Sequence, residues 1–131
     1  MSDWSMFHGD PLHTGEVLDS AIDSGTVPGL VLLHSIEVPG SILSTPAIVD
    51  GCAFVGLANT QAVASQIGGQ LLKIDLASGE PACPPYTWEI PLDEKDSHGF
   101  CGMGVTPAVA EGLVVFSAFN GLVYCLRRRK Q

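Results

Sequence analysis

Residues 106–126 read TPAVAEGLVVFSAFNGLVYCL, and this stretch decides the fold. Its three short apolar runs span residues 105–110, 113–118 and 122–126. The runs are separated by Glu111-Gly112 and Asn120-Gly121, dipeptides that favour the positive φ angles of tight hairpin turns. The pattern therefore predicts three antiparallel strands, each hydrogen-bonded to the next along the chain.

A second copy of this pattern lies sixty-one residues earlier, where TPAIVDGCAFVGLAN is followed, after an interruption, by GGQLLKIDLASGE. The matched residues are Thr45 with Thr106, Asp50-Gly51 with Glu111-Gly112, Asn59 with Asn120, and Gly69 with Gly121. The strands of this earlier copy are expected at residues 44–49, 52–57, 70–75 and 86–91. Self-similarity of this kind is typical of repeat architectures, so we interpret the chain as an all-β repeat protein.

The composition supports an ordered chain rich in strands. The 131 residues are 46% hydrophobic and 15% charged, and 15 glycines with 9 prolines suit short strands joined by tight turns. No window approaches the roughly 18 uncharged apolar residues of a membrane span. The first residues have neither the basic nor the apolar part of a signal peptide. The expected location is the cytoplasm, or the periplasm or extracellular space if an export segment is missing, and no membrane partner is expected.

The charge distribution argues against nucleic acid as a partner. The net charge is −8, and removing the four basic residues at 127–130 leaves −12 on the rest of the chain. A phosphate-binding groove needs a basic face, so no nucleic-acid partner is expected. Residues 127–131 form a basic tail that we interpret as a solvated, frayed end rather than as an address signal.

The four cysteines, Cys52, Cys83, Cys101 and Cys125, include no C-x-x-C pair, so their spacing does not indicate a structural zinc site. Cys52 and Cys125 lie in apolar runs and are predicted to be buried, reduced and slow to react. Cys83 and Cys101 flank an irregular segment and could form a bridge in an oxidising compartment, so their redox state stays open.

The opening stretch, residues 4–15, reads WSMFHGDPLHTG. Together with the two repeats it resembles the quinoprotein-type, or PQQ-like, β-propeller family, whose repeats follow a TPAVxxGxVYVGxxxGxLYALDxxTG pattern. The resemblance covers nearly the whole chain and implies about two blades, each a four-stranded antiparallel meander, similar to the N-terminal part of a longer propeller. It also implies structural roles for Trp4, Phe7, Pro11, Gly51, Trp88, Gly112 and Gly121.

The resemblance implies the following organisation of the chain. Residues 1–29 are the opening motif and a loop, 30–38 the outermost strand of a shared blade, 39–91 the first complete blade, 92–104 an acidic inter-blade loop, and 105–126 three strands of a second blade. Residues 60–68 expand one hairpin and are expected to form a mobile rim loop. Gly102 and Gly104 are interpreted as hinge material.

The acidic loop is the cluster with the most potential to bind a ligand. Asp93, Asp96 and His98 are weak metal candidates, because carboxylates suit a hard cation although their spacing is not that of an EF-hand. The competing interpretation is a solvated loop that a hydrogen bond of His98 anchors. The other histidines, His8, His13 and His34, are expected to be structural, because spacing alone establishes no serine or cysteine partner for them.

Quinoprotein dehydrogenases hold PQQ and calcium on the propeller axis, so the resemblance also invites an enzymatic interpretation. Those enzymes use a disulfide between adjacent cysteines and an aspartate base near an arginine. Here no two cysteines are adjacent, and every arginine lies within residues 127–129. The leading expectation is a non-catalytic binding or assembly scaffold without a cofactor. The alternatives are part of a PQQ- and calcium-dependent oxidoreductase whose site needs the complete ring, and a truncated fragment without independent function.

The number of strands predicts that the partner is a second copy of the chain. Residues 30–38 of one molecule could complete the second blade of the next molecule by pairing with residues 122–126. Head-to-tail pairing of this kind closes into a ring when the rotation permits. The expected assembly is a homotrimer with six blades or, with slight preference, a homotetramer with eight. The rest of a longer propeller is the alternative partner.

Overall fold

The structure is a computed structural model of the chain and describes residues 3–17, 20–58, 67–80, 87–91 and 101–127. Within these ranges the regular structure is seven β-strands and one 3₁₀-helix, Val27–Gly29, so the prediction of an all-β chain is confirmed. The strands are β1 (Ala47–Val49), β2 (Cys52–Leu57), β3 (Ile67–Asp75), β4 (Thr87–Pro91), β5 (Ala108–Ala110), β6 (Leu113–Ser117) and β7 (Val123–Arg127). No helix in the described ranges is long and apolar enough to cross a membrane.

The strands form two antiparallel sheets in which each strand pairs with the next along the chain. The first sheet has the order β1-β2-β3-β4, and the second has the order β5-β6-β7. The register repeats as well, because Cys52 lies opposite Asp75 in the first sheet and Leu113 lies opposite Arg127 in the second. The predicted repeat is therefore present in the hydrogen bonding as well as in the sequence.

Two hairpins have the turn that their dipeptides predict. Asp50 and Gly51 have φ angles of 51° and 71°, and Glu111 and Gly112 have φ angles of 51° and 76°. Positive φ at both central residues is typical of a type I′ turn, whose twist matches that of the flanking strands. The β1–β2 and β5–β6 hairpins are thus set by local sequence.

The hairpin between β6 and β7 is a three-residue loop, and the prediction for Asn120 is wrong. Gly121 has a φ of 81°, whereas Asn120 is not among the residues with positive φ. The Gly121 N–H donates to the Ala118 carbonyl (3.1 Å), and the Ala118 N–H donates to the Leu122 carbonyl (3.0 Å). This is a type I turn closed by a left-handed glycine. The Asn120 side chain is buried in the protein.

Proline delays the start of the first strand of each sheet. Strands were expected from residues 44 and 105, but β1 begins at Ala47 and β5 at Ala108. The preceding residues, Pro46 and Pro107, have no N–H to donate to a neighbouring strand. The paired segment therefore begins after each proline.

Two other strands extend beyond their predicted ends. Ile67 lies opposite Pro91 in β3, so residues 67 and 68 belong to a strand and not to the expected rim loop. Arg127 lies opposite Leu113 in β7 and is therefore not part of a frayed tail. The remaining residues of that loop and that tail lie outside the described ranges.

Residues 30–38 form no strand with any described part of the same chain. Their apolar side chains stand largely in solvent, and Leu32 is 83% exposed. The segment nevertheless touches the first sheet, because Val38 packs on a buried cluster of that sheet and the His34 ring lies over Gly79. The expected strand is thus absent within a single molecule, and its pairing with a second molecule stays a prediction.

The two sheets pack face to face through alternate side chains of their strands. The contact is made by Leu71, Ile90, Met103 and Phe116, with Phe54, Trp88, Val114, Ala118, Tyr124 and Leu126 around them. The opposite face of the first sheet carries a second cluster, which consists of Ala53, Val55, Leu57 and Ile74. Both faces of the first sheet are therefore covered.

The segment before β5 fixes the two sheets to one another. The Met103 N–H donates to the Leu57 carbonyl (3.3 Å), and the Gly102 carbonyl accepts from the Phe119 N–H (2.9 Å). The Met103 side chain is fully buried and lies over Gly56. The packing argues against the interpretation of Gly102 as hinge material, because Gly102 is buried, lies close to the Leu57 carbonyl and accepts a hydrogen bond from Phe119.

Replacing Gly102 with alanine is expected to destabilise the protein more than the same change at Gly112. Both residues have positive φ, 81° and 76°, so both variants incur the roughly 1–2 kcal/mol of a left-handed alanine. A Cβ at position 102 would also lie 2.6 Å from the Leu57 carbonyl oxygen, whereas a Cβ at position 112 would meet nothing within 4 Å. Urea unfolding of the two variants measures the difference. Equal losses would contradict the close approach at Gly102.

Candidate functional site

The face of the second sheet that points away from the first sheet is apolar and open. This outer face carries the apolar residues Ala108, Ala110, Leu113, Val115, Val123 and Cys125, with the polar residues Ser117 and Arg127 at the ends of β6 and β7. Val123 is 72% exposed, and Cys125 is exposed beside Val115. A shallow depression of about 160 Å³ is lined by Ala108, Ala110, Glu111, Leu113 and Val115. An exposed apolar face is a candidate surface for contact with another macromolecule.

The edge of β7 borders this outer face. In the first sheet β3 pairs with β4, but no described strand pairs with the corresponding edge of β7. An open strand edge presents a row of N–H and C=O groups to another strand. The outer face and the β7 edge together form the candidate functional site, and its geometry suits the docking of another sheet.

An aromatic cluster on the inner face holds β6 and β7 in position behind this site. The Trp88 ring centroid lies 5.8 Å from that of Phe116 and 4.9 Å from that of Tyr124, at interplanar angles of 68° and 60°. Edge-to-face pairs contribute about 0.5–1.5 kcal/mol beyond their area burial. The Asn120 Nδ2 donates to the Tyr124 hydroxyl (2.8 Å), and the Asn120 Oδ1 accepts from the Leu122 N–H (3.1 Å). The turn and the cluster therefore support each other.

The Tyr124→Phe variant is expected to lose about 1–3 kcal/mol of stability, because it leaves the buried Nδ2 of Asn120 without an acceptor. Chemical unfolding checks the loss. In a double-mutant cycle with Asn120→Ala, the two changes should be strongly non-additive. Additive losses would show that the hydrogen bond is not what couples these residues.

The opening segment runs along the first strand of both sheets. Trp4 exchanges two backbone hydrogen bonds with Ile48 of β1, at 2.6 and 2.7 Å, and the Ser5 carbonyl accepts from the Val109 N–H of β5 (2.8 Å). The Trp4 indole N–H is buried without an acceptor in the described part of the chain. The segment thus covers the β1 and β5 edges, whereas no described strand covers the opposite edge of the second sheet.

His8 and His13 hold the opening loop closed. Both have positive φ, 60° and 54°. The His8 Nδ1 lies 3.1 Å from the His13 carbonyl oxygen, and the His13 Nδ1 lies 2.9 Å from the Phe7 carbonyl oxygen. The Phe7 ring stacks on His8 and is 53% exposed. These contacts are all local to the loop.

Asp10 organises the turn around Pro11. Its carboxylate accepts hydrogen bonds from the Thr14 hydroxyl and from the backbone N–H groups of Leu12 and Thr14. These bonds, the Thr14 hydroxyl foremost, lower the pKa of the Asp10 carboxyl. The exposed Pro11 lies in this turn. In the described ranges no group of three or more histidine, cysteine, aspartate or glutamate residues could hold a metal ion.

The proposed metal candidates lie outside the described residues. This holds for Asp93, Asp96 and His98, and also for Cys83. Their roles therefore stay predictions.

The expectation of two buried cysteines is wrong, most clearly for Cys125. Cys52 is half-buried, whereas Cys125 is exposed on the outer face. An apolar run predicts a strand but does not show whether anything covers each face of that strand. Cys101, the third described cysteine, is half-buried at the start of the segment that joins the sheets.

Cys125 is expected to react with a thiol reagent faster than Cys52 in dilute protein, because exposure controls access to the sulfur. Peptide mapping by mass spectrometry assigns the rate to each residue. Cys125→Ser should remove the fast site, and Cys52→Ser should leave it unchanged. Faster labelling of Cys52 would contradict the assignment of faces.

Comparison of the chain with protein-family models, with curated proteins and with solved structures gave no match. The candidate site is therefore defined by its own geometry, an exposed apolar face beside a strand edge that no described strand pairs with.

Proposed function

We propose that the chain is a β-propeller module of the PQQ-like type that works as a binding or assembly scaffold, without a catalytic centre of its own. In this proposal the two sheets are successive blades, and the second blade lacks its fourth strand. The single observation that carries the proposal is the open outer face of the second sheet next to the unpaired β7 edge.

The equivalent face of the first sheet supports this proposal. Gly56 lies opposite Leu71 in the first sheet, and Ser117 lies opposite Val123 at the same register in the second. Leu71 is buried under the second sheet and is 5% exposed, whereas Val123 is 72% exposed. The second sheet thus offers the kind of surface that the first sheet already uses to bind a sheet. Repeat modules bury such faces by adding neighbours.

The scaffold proposal predicts that the protein retains no PQQ. The chain has no adjacent cysteines, and its arginines are confined to residues 127–129. It therefore does not match the disulfide between adjacent cysteines and the arginine near an aspartate base that quinoprotein dehydrogenases use at the quinone. We expect no quinone absorbance after incubation with PQQ and calcium followed by desalting. The measurement is made on dilute and on concentrated protein, because an axial site would need a complete ring.

An unrelated acidic protein serves as the control for non-specific retention of the quinone. Stoichiometric PQQ that depends on calcium and survives desalting would overturn the scaffold proposal in favour of an oxidoreductase.

A further inference from the structure

We propose that a second copy of the same chain binds the outer face, and that its residues 30–38 form the missing fourth strand along β7. Residues 30–42 are called the leading segment below. The inference rests on the proposed assembly function and names the partner. It follows from the contact between the two sheets of one molecule. Three parts of that contact have a repeat-equivalent part elsewhere in the chain that does not make the same contact within one molecule.

The first counterpart is the backbone of the segment that joins the sheets. The Ala58 N–H donates to the Ser41 carbonyl at 2.9 Å, and sixty-one residues later the Phe119 N–H donates to the Gly102 carbonyl at 2.9 Å. Gly102 also bridges to Ala58, a residue of the preceding sheet. Ser41 therefore precedes the first sheet as Gly102 precedes the second, but no sheet precedes Ser41 in the described part of the chain.

The second counterpart is the side chain that fills the space between the sheets. Met103 is 0% exposed and lies over Gly56 of the preceding sheet. Ile42 occupies the equivalent position in the repeat and is 51% exposed. Position 117 of the second sheet is equivalent to Gly56 and is the small residue Ser117. A second molecule could therefore place its Ile42 over Ser117 as Met103 lies over Gly56.

The third counterpart is the fourth strand. Residues 35–39 read SIEVP, and residues 87–91, which include β4, read TWEIP. In the contact between the sheets, Ile90 belongs to the buried cluster that contains Phe116 of the following sheet. Val38 takes the corresponding place, because it packs on the cluster that contains Val55, the equivalent of Phe116. Val38 thus meets the first sheet where the fourth strand of a preceding sheet would meet it.

In both repeats, the chain between the fourth strand and the segment that joins it to the next sheet is long enough to connect the two. Pro91 pairs with Ile67, and Gly102 lies against Gly69, so β4 ends close to the joining segment. A short link is therefore sufficient, and the three steps from Pro39 to Ile42 can span about 10 Å. The shorter connection in the leading segment is compatible with the same arrangement.

The repeat also fixes the register of the intermolecular pair. In the first sheet Leu71 lies opposite Trp88. The equivalent pair is Val123 opposite Ile36 of the second copy. Two residues further along the antiparallel pair, Cys125 lies opposite His34. Each chain then contributes eight strands, which make two complete four-stranded sheets.

Disulfide trapping of the His34→Cys variant tests this register. Opposite residues of an antiparallel pair have Cα atoms about 4.5–5.5 Å apart, within the range of a disulfide. Mild oxidation should therefore link chains through Cys125 and give a ladder on a non-reducing gel. A closed ring would end the ladder at three or four chains. The ladder should disappear in the His34→Cys/Cys125→Ser variant.

Two matched controls test the face and the contact. Leu33→Cys moves the thiol to the other side of the strand and should not give the Cys125-linked ladder. Ile42→Asp should abolish the His34→Cys ladder, whereas Ile22→Asp should leave it intact, because Ile22 is equally exposed but lies outside the leading segment. Native mass spectrometry of the unmodified protein should show the same assembly.

Several results would overturn the inference. These are a monomer at every concentration, a disulfide confined to one chain, an equal ladder from Leu33→Cys, or an assembly that Ile42→Asp leaves intact. The proposed function fails separately, through calcium-dependent retention of PQQ. A monomer that binds a different propeller chain would overturn the second copy as partner and would leave the scaffold proposal standing.

Discussion

The close approach of Gly102 to the first sheet is the constraint on which the rest of the structure depends. A Cβ at this position would lie 2.6 Å from the Leu57 carbonyl oxygen and 2.7 Å from the Gly69 Cα, so only a glycine lets the two backbones meet. Its φ of 81° then turns the chain, and Met103 enters the space over Gly56. Burying a side chain of this size contributes about 1.5–3 kcal/mol, and it sets how closely the two sheets pack. The aromatic cluster follows from that spacing.

This joint is directional, which explains why the chain has one covered sheet and one open sheet. The joining segment of the second sheet binds to the first sheet, so each sheet covers the one before it. The first sheet is covered on one face by the second sheet and is contacted on the other by Val38, whereas the outer face of the second sheet faces solvent. A contact of this kind does not use the same surface twice, so it can be extended by further copies.

The sequence predicted the strands well because the signals for strands are local. Alternation, two Asp-Gly or Glu-Gly turns and a sixty-one-residue repeat place all seven described strands within three residues of their observed start. Burial was predicted poorly because it depends on what lies opposite. Cys52 and Cys125 lie in similar apolar runs, yet only Cys125 is exposed. Gly102 was read as a hinge because a glycine in a mobile loop and a glycine at a close approach look the same in a single sequence. The repeat offset pairs Gly102 with Ser41, and the hydrogen bonds show that the two backbones have the same role.

The composition of the leading segment explains why a strand formed by residues 30–33 would be covered on both faces. Residues 30–33 read LVLL, four consecutive apolar positions, so both faces of any strand that they form are apolar. A strand covered on one face alternates between apolar and polar residues, and a continuous apolar run is typical of a strand covered on both. In the proposed register Leu33 lies opposite Leu126 and extends the inner face of the second sheet, whereas Leu32 lies on the outer-face side. A partner that merely covered one face would leave half of these side chains in water. Insertion as the edge strand beside β7 places one set on each face and satisfies the open backbone edge in the same step.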